Sequence, residues 1–292
     1  MVKKIVRNTA LSSDEILEFS RNGFLLPGKI FSDETIELMQ NSLTAAQDSE
    51  QKAGREYDLL DPGAWPTDQR EERSQPNKKV GFLFNLWLWN QEWRDFCFNP
   101  TLALWASQLI GSRKIRLLED NALYKPPKTG GALRWHQDQS YWPLAQANAV
   151  TAWAALDDVH LRNGAMRMAK GSHLLGERLP ASFDTGTPYL KELRSSVVKP
   201  MEDPVEQGLE IETIEIKAGE VSFHHALTWH ASGPNETDNP RRVCIARYVG
   251  DGTIWLGSRR YKYNYNDDEV GIEIGQPLGG QYFPLVPIQN GD

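Results

Sequence analysis

The feature that most restricts the fold is a series of short apolar runs that begins at Lys114. Each run has the length of a β-strand and is followed by turn-forming residues instead of a helix. The predicted strands cover residues 115–124, 149–156, 165–168, 211–216, 220–225 and 243–248. Asn163-Gly164 separates two of them and is expected to form a two-residue hairpin turn. Strands in such succession are typical of an antiparallel sandwich or barrel and argue against a parallel sheet.

The N-terminal third has a different pattern, which predicts mainly helical structure. Residues 12–15 form a capping-box sequence, and apolar residues at helical spacing predict a second helix after Ser32. Residues 81–111 are rich in aromatic side chains, which favours a buried helical layer against the sheet. The alternative is that one face of this layer lines a substrate pocket. The polar segment 47–79 is predicted to be a long surface excursion.

Length and charge exclude some partners. The 292 residues are enough for one large domain, and we expect a single domain over residues 1–292. Its parts would be mainly helical at 1–113, a β core at 114–250 and a C-terminal extension at 251–292. The net charge of −7 argues against nucleic-acid binding and against binding to anionic membranes. With no stretch near the roughly 20 apolar residues of a membrane span, we expect a cytoplasmic monomer or homodimer with a small-molecule substrate.

Two histidine-containing segments carry the chemistry that the sequence suggests. In Trp135-His136-Gln137-Asp138, positions i and i+2 of a strand face the same side, so His136 and Asp138 would present an imidazole and a carboxylate together. Residues 221–235 contain three of the six histidines within an apolar run, which indicates burial. His225 and His230 cannot both be assumed to be ligands, but either could join the first pair.

One further histidine beside His136 and Asp138 would complete a triad of two histidines and one carboxylate. Such a triad suits iron(II) and leaves three positions open, which can take a bidentate 2-oxo acid and dioxygen. A zinc site with the same ligands is the competing interpretation. Arg241 favours iron, because a hairpin could return its guanidinium to the metal face, where it would bind the far carboxylate of a dicarboxylate cosubstrate. Ser232 could add a hydroxyl hydrogen bond to that carboxylate.

Taken in this order, the motifs resemble the phytanoyl-CoA dioxygenase family of iron(II)/2-oxoglutarate oxygenases. The resemblance covers most of the chain, and the segments that carry it are residues 11–15, 22–24, 125–127, 136–138, 153–158, 163–164, 170–173 and 230–235, together with Arg241. The chain departs from the family pattern at Ala231, where Gly is common, and at Lys170, where Pro is common. Family members that transfer halogen usually lack the carboxylate ligand, so Asp138 argues against halogenation.

The resemblance implies a mainly β fold with flanking helices around a double-stranded β-helix, the jelly-roll, cupin-like core of these oxygenases. It implies iron ligands at His136, Asp138 and His230. We interpret His225 as a packed histidine behind the site, with His224 facing the other side of its strand. The implied cosubstrate contacts are Arg241, Ser232, Trp153 and Asn121, with Gln137 and Asn85 as looser candidates near the metal-proximal carboxylate.

The implied activity is that of a dioxygenase with iron(II), 2-oxoglutarate and O₂ as cofactors. We expect hydroxylation of a C–H bond in a small, partly apolar molecule, with release of succinate and CO₂. Desaturation, epimerisation or cyclisation would use the same iron site and stays open. From a different class, the alternative is a metal-binding β-sandwich without oxygenase activity, either a zinc hydrolase or a binding module.

Overall fold

The core consists of two antiparallel β-sheets, as the short apolar runs predict. The computed structural model describes residues 7–52, 81–128, 131–179, 199–257 and 270–288. Among these residues, the larger sheet has seven strands and the smaller has four. Apolar side chains from both sheets pack into one cluster. This is the curled jelly-roll core expected from the family resemblance.

The strand limits agree closely with the sequence prediction. Each predicted run from residue 115 onward lies on an observed strand, and β12 extends beyond the predicted residues 243–248 at both ends. The strands are β1 Phe24–Lys29, β2 Gly81–Phe84, β3 Ile115–Lys125, β4 Leu133–His136, β5 Ala149–Ala155, β6 Met166–Ala169, β7 Arg178–Leu179, β8 Lys199–Pro200, β9 Ile211–Ile214, β10 Glu220–His225, β11 His230–Ser232, β12 Arg241–Gly250 and β13 Leu285–Val286. The larger sheet has the order β1-β10-β5-β12-β3-β13, with β2 also paired to β3, and the smaller has the order β4-β11-β6-β9.

Within residues 7–52 and 81–128, four helices cover the outer face of the large sheet. They are α1 Ser13–Asn22, α2 Asp33–Lys52, α3 Gln91–Cys97 and α4 Pro100–Ile110. The predicted capping box is present, since the Ser12 side chain accepts from the Glu15 amide and the Glu15 side chain accepts from the Ser12 amide. Within the described ranges, no helix is long and apolar enough to span a bilayer.

The aromatic segment forms the predicted buried layer between these helices and the sheet. Trp93 and Trp105 are fully buried, and Trp105 meets Phe223 of β10 edge-on, with ring centroids 6.2 Å apart. Phe82 of β2 is different, because it packs inside the sandwich with side chains of both sheets. The N-terminal part therefore supplies two strands as well as helices. The predicted surface excursion at 47–79 lies mainly outside the described residues.

The prediction of a two-residue hairpin turn at Asn163-Gly164 is wrong. Asn163 ends a short 3₁₀ turn, Leu161–Asn163, and Gly164 follows it with φ at 86°. The strands on either side, β5 and β6, belong to different sheets, so they are not joined by a two-residue turn. The dipeptide correctly indicates a residue with positive φ, which is Gly164. The sequence pattern does not show that the chain crosses from one sheet to the other here.

The register of the large sheet sorts its inward side chains into rows that cross several strands. One row, here called the polar row, consists of Glu119, Arg247, Thr151 and His224, which are paired neighbours on β3, β12, β5 and β10. The next row along the strands contains Asn121, Ile245, Trp153 and Ser222. Farther on, Lys125 and Arg241 lie opposite each other and form what we call the cationic end.

Candidate metal centre

Strand pairing brings together the three side chains that the sequence singled out. His136 ends β4 and lies directly opposite His230 at the start of β11, with ring centroids 4.1 Å apart. Asp138 begins the 3₁₀ turn Asp138–Tyr141 that follows β4. One ligand atom from each residue lies within 4.8 Å of the others. Among the described residues, this is the group of acidic, histidine or cysteine side chains that could hold a metal ion.

Backbone carbonyls fix the orientation of both histidines. His136 Nδ1 lies 2.6 Å from the Arg134 carbonyl oxygen, and His230 Nδ1 lies 2.9 Å from the Thr228 carbonyl oxygen. A carbonyl can only accept, so each Nδ1 carries the proton and each Nε2 keeps a lone pair for a metal. Burial lowers the pKa of the His230 imidazole well below its usual value, which keeps the ring neutral.

The Asp138 carboxylate is held on one side by several donors. Its Oδ2 accepts hydrogen bonds from Thr151 Oγ1 at 2.6 Å and from His224 Nε2 at 3.2 Å, and Arg247 Nε lies 3.7 Å away. Burial alone would raise the pKa of this carboxyl, but the charge of Arg247 and the hydrogen bond from His224 outweigh it and hold the pKa well below its usual range. The other oxygen, Oδ1, lies 3.7 Å from His230 Nε2 and faces the centre.

Arg241 lies at the cationic end with unused hydrogen-bond donors. The residue is 1% exposed, and its guanidinium lies over the Trp153 ring at 5.4 Å from the centroid. Nη2 donates to the Gly164 carbonyl at 3.2 Å, but Nε and Nη1 are buried without a partner among the described residues. Burial lowers the pKa of this guanidinium to about 9. Buried donors need acceptors, and a carboxylate fits the two spare N–H groups.

Lys125 is a second buried cation, for which the sequence predicts no role. Its Nζ donates to the Gly131 carbonyl at 3.0 Å, to Ser232 Oγ at 2.9 Å and to the Gly233 carbonyl. Because Ser232 Oγ accepts from Lys125, its own hydrogen remains for another acceptor. Strand alternation could have revealed this residue, since Lys125 lies four residues from Asn121 on one face of β3.

Gly164 fits the cationic end because it has no side chain. With φ at 86°, a Cβ atom here would lie 2.7 Å from the Gly233 carbonyl oxygen and 3.1 Å from Lys125 Nζ. Any larger residue would therefore strain the backbone and push Lys125 away. The same close approach places the Gly164 carbonyl within hydrogen-bond distance of Arg241.

The remaining predicted cosubstrate residues have different environments. Trp153 and Asn121 lie in the row between the metal group and the cationic end, and Asn121 Oδ1 accepts from Arg247 Nη1 at 2.8 Å. Asn85 is buried directly after β2, with φ at 52°. Gln137 is not brought into the site. Its amide bonds to the backbone of residues 176, 178 and 227, because position i+1 of β4 faces away from His136.

The two adjacent histidines of β10 face opposite sides of the strand and His225 is packed, as expected, but His224 is the one that lies behind the metal group. His224 belongs to the polar row and contacts Asp138, whereas His225 packs against Phe19 and His173 at centroid distances of 6.4 and 5.4 Å. Burial, followed by the charge of His173, lowers the pKa of His225 to about 4. Side-chain alternation along β10 explains the difference between the two histidines. His224 is paired with the inward-facing Thr151 on β5, so the next residue, His225, faces outward.

A jelly-roll core that gathers two imidazoles and a carboxylate, with a buried guanidinium deeper inside, has the arrangement of the 2-oxoglutarate-dependent non-haem iron oxygenases. The model of the phytanoyl-CoA dioxygenase (PhyH) family matches residues 19–243, and the chain belongs to this family. The chain is therefore an enzyme of this class, and the cofactors of the class are iron(II), 2-oxoglutarate and O₂.

Individual relatives support the same assignment. The chain is 26% identical to the ectoine dioxygenase of Bordetella bronchiseptica over 242 residues, which are 80% of this chain and 73% of that protein. It is 30% identical over 148 residues to a "probable alpha-ketoglutarate-dependent hypophosphite dioxygenase" of Stutzerimonas stutzeri, and that match spans half of each protein. The carbocyclase SnoK from nogalamycin biosynthesis has the same fold, with a TM-score of 0.71, 22% identity and coverage of 96% of this chain and 100% of SnoK.

Proposed function

We propose that this protein hydroxylates a C–H bond of a small, partly apolar molecule and releases succinate and CO₂ from 2-oxoglutarate. In this proposal, iron(II) is held by His136, Asp138 and His230. The observation that carries it is the pairing of two features, the three ligand atoms within 4.8 Å of one another and the two unused N–H groups of buried Arg241. A zinc hydrolase would need the first feature but has no use for the second.

The protein side chains supply ligation and charge. Two neutral imidazoles and one carboxylate reduce the charge of a divalent cation by one and leave three positions open. When bound, iron(II) with 2-oxoglutarate supplies the chemistry, which is O₂ activation coupled to decarboxylation of the keto acid. The charge of Arg247 and the hydrogen bond from His224 keep Asp138 ionised, and the hydrogen bonds from Thr151 and His224 turn its other oxygen toward the centre.

The cationic end would hold the far carboxylate of 2-oxoglutarate. Arg241 offers Nε and Nη1, and Ser232 offers a hydroxyl hydrogen because its oxygen already accepts from Lys125. The Trp153 ring lies beneath the guanidinium and separates it from solvent. The metal group contacts the polar row of the large sheet through Asp138, and the cationic end lies farther along the same sheet, so the cosubstrate would be stretched between them.

The substrate would enter on the side of His136. This ring is partly exposed, and Tyr141, 40% exposed, meets it edge-on with centroids 5.8 Å apart. An aromatic wall at the entrance suits a partly apolar molecule. The fold is shared with a carbocyclase, so cyclisation, desaturation or epimerisation stays the second candidate outcome. Product analysis would separate these outcomes from hydroxylation.

Succinate release from 2-oxoglutarate with iron(II), O₂ and ascorbate tests the proposal. We expect release by the natural protein and complete loss in His136→Ala and Asp138→Ala, because each removes a metal ligand. His160→Ala is the matched control, since His160 is exposed and lies outside the triad. A natural protein that binds zinc but neither binds 2-oxoglutarate nor releases succinate would contradict the proposal and favour a hydrolase or binding module.

A further inference from the structure

Arg247 occupies a position between two buried carboxylates of the barrel interior. Its Nη1 donates to Glu119 Oε1 at 2.9 Å and to Asn121 Oδ1 at 2.8 Å. Its Nε lies 3.7 Å from Asp138 Oδ2. The guanidinium also lies over the Trp142 ring, 5.7 Å from the centroid. These contacts fix the planar fork from several sides, and one of the groups it reaches is a proposed metal ligand.

Glu119 is itself fixed, so it can act as an anchor. It is 4% exposed, and its Oε1 accepts from Trp142 Nε1 at 3.2 Å as well as from Arg247. Trp142 therefore contacts both partners of the ion pair. An arginine held by a rigid acceptor on one side presents its other N–H groups in a defined direction. Here that direction is toward Asp138.

We propose that Arg247, anchored by Glu119, is a positioning residue that orients the Asp138 carboxylate for the metal and so sets the affinity of the protein for a divalent cation. This inference rests on the proposed function. Thr151 and His224 bind the same carboxylate oxygen by hydrogen bonds, and Arg247 adds a guanidinium that Glu119 anchors beside it. Thr151 and His224 bind Oδ2, the Arg247 guanidinium attracts the same oxygen from 3.7 Å, and Oδ1 faces the centre. Without the guanidinium, this oxygen is held less firmly and the carboxylate is freer to rotate away from the orientation that binds the metal.

The neighbouring Arg242 provides a matched control on the same strand. It faces the opposite side of β12 and forms a two-point ion pair with Asp157, at 2.9 and 2.6 Å. Arg242→Gln thus removes an arginine and a partly buried ion pair without touching the interior. If Arg247→Gln and Arg242→Gln differ in their effect on metal affinity, the cause is the position of the arginine and not the loss of a positive charge.

The test is cobalt(II) titration of the metal-free protein, followed by visible spectroscopy. Residues that orient a metal ligand typically contribute 10- to 100-fold in metal affinity. We expect Arg247→Gln to weaken cobalt(II) binding by about 10- to 100-fold and Arg242→Gln to change it by less than about twofold. The cobalt(II) spectrum of Arg247→Gln should also differ from that of the natural protein, because a reoriented carboxylate changes the coordination geometry. Loss of packing alone would not alter the spectrum of the bound ion.

Arg247→Lys keeps a cation in the barrel and carries the test if the glutamine variant does not fold. A point charge cannot reach Glu119, Asn121 and Asp138 together, so we expect about three- to tenfold weaker cobalt(II) binding. Natural affinity and an unchanged spectrum in either folded variant would overturn the inference. Failure of the natural protein to bind cobalt(II) at all would instead overturn the proposed function.

Discussion

At the scale of single residues, Arg241 and Arg242 show how strand alternation gives neighbouring arginines different environments. Arg241 faces the interior, fully buried, with two N–H groups that have no partner in the described part of the chain. Arg242 faces outward and is satisfied by Asp157. A buried arginine without its acceptors is costly, which is why we assign Arg241 to an anionic ligand and Arg242 to stability.

The first prediction concerns that ligand. We expect Arg241→Ala to raise the 2-oxoglutarate KM by about 10- to 100-fold, since each charge-assisted hydrogen bond contributes about 1.5–3 kcal/mol. Metal affinity in the absence of 2-oxoglutarate should not change, because Arg241 lies away from the metal ligands along β12. Steady-state kinetics and metal titration measure the two effects. An unchanged KM for 2-oxoglutarate, with Arg242→Ala as control, would exclude the role given to Arg241.

At the scale of elements, β3 separates two environments. Glu119, Asn121 and Lys125 face the interior, whereas Asp120 faces the helical layer. Asp120 is fully buried, and its Oδ1 accepts from the Trp87 amide at 3.1 Å. Burial raises the pKa of this carboxyl to about 8, although the backbone hydrogen bonds oppose the shift. The strand therefore places a carboxylic acid where the neutral form is favoured.

This gives a prediction about stability and pH. An unfolded Asp120 would release its proton near pH 4, whereas the folded residue keeps it until about pH 8. The folded state therefore loses stability as pH rises through this interval. Asp120→Asn removes this pH dependence. The free energy of unfolding of the variant, relative to that of the natural protein, should therefore increase from pH 5 to pH 8.

Denaturant unfolding at the two pH values measures this shift. The asparagine amide adds a cost that does not depend on pH, because it replaces Oδ2, which has no partner among the described residues. The comparison across pH removes that constant. A difference that is equal at pH 5 and pH 8 would show that Asp120 is ionised in the folded protein.

At the scale of the whole molecule, the proposed ligands connect the two sheets. His136 and His230 belong to the small sheet, and Arg241 belongs to the large one. We expect anaerobic iron(II) to raise the Tm and 2-oxoglutarate to raise it further, because ligands that bind only the folded state stabilise it. At about 100 times Kd the gain is about 2.7 kcal/mol, or about 4 °C for a domain of this size. Differential scanning fluorimetry measures both increments.

The Arg241→Ala variant separates the two increments. It should keep the rise caused by the metal and lose most of the rise caused by 2-oxoglutarate. A full 2-oxoglutarate increment in this variant, or an equal increment without metal, would contradict a cosubstrate held between the metal ligands and the cationic end.

The sequence predicted the parts of the site that depend on local spacing. The pairing of His136 with Asp138 was predicted because residues i and i+2 of a strand face the same side. The antiparallel sheets were predicted from short apolar runs separated by turn residues. Lys125 and Arg247 were missed because their roles depend on which strands become neighbours. His224 was correctly predicted to face the side of β10 opposite to His225, but its contact with Asp138 was missed for the same reason, since only the pairing of β10 with β5 fixes which side is the interior. Register between distant strands is a property of the folded chain, and no short motif encodes it.

The three bonds of Lys125 have a practical consequence for redesign. Its ammonium joins the turn before β4 to the turn after β11, so the lengths of these two turns are coupled through a single side chain. Longer loops grafted at these two turns to admit a new substrate would break the hydrogen bonds from Lys125 to the two carbonyls and disturb the proposed cosubstrate site. Libraries that vary the entrance around Tyr141 avoid this penalty, which makes the entrance the better starting point for altering selectivity.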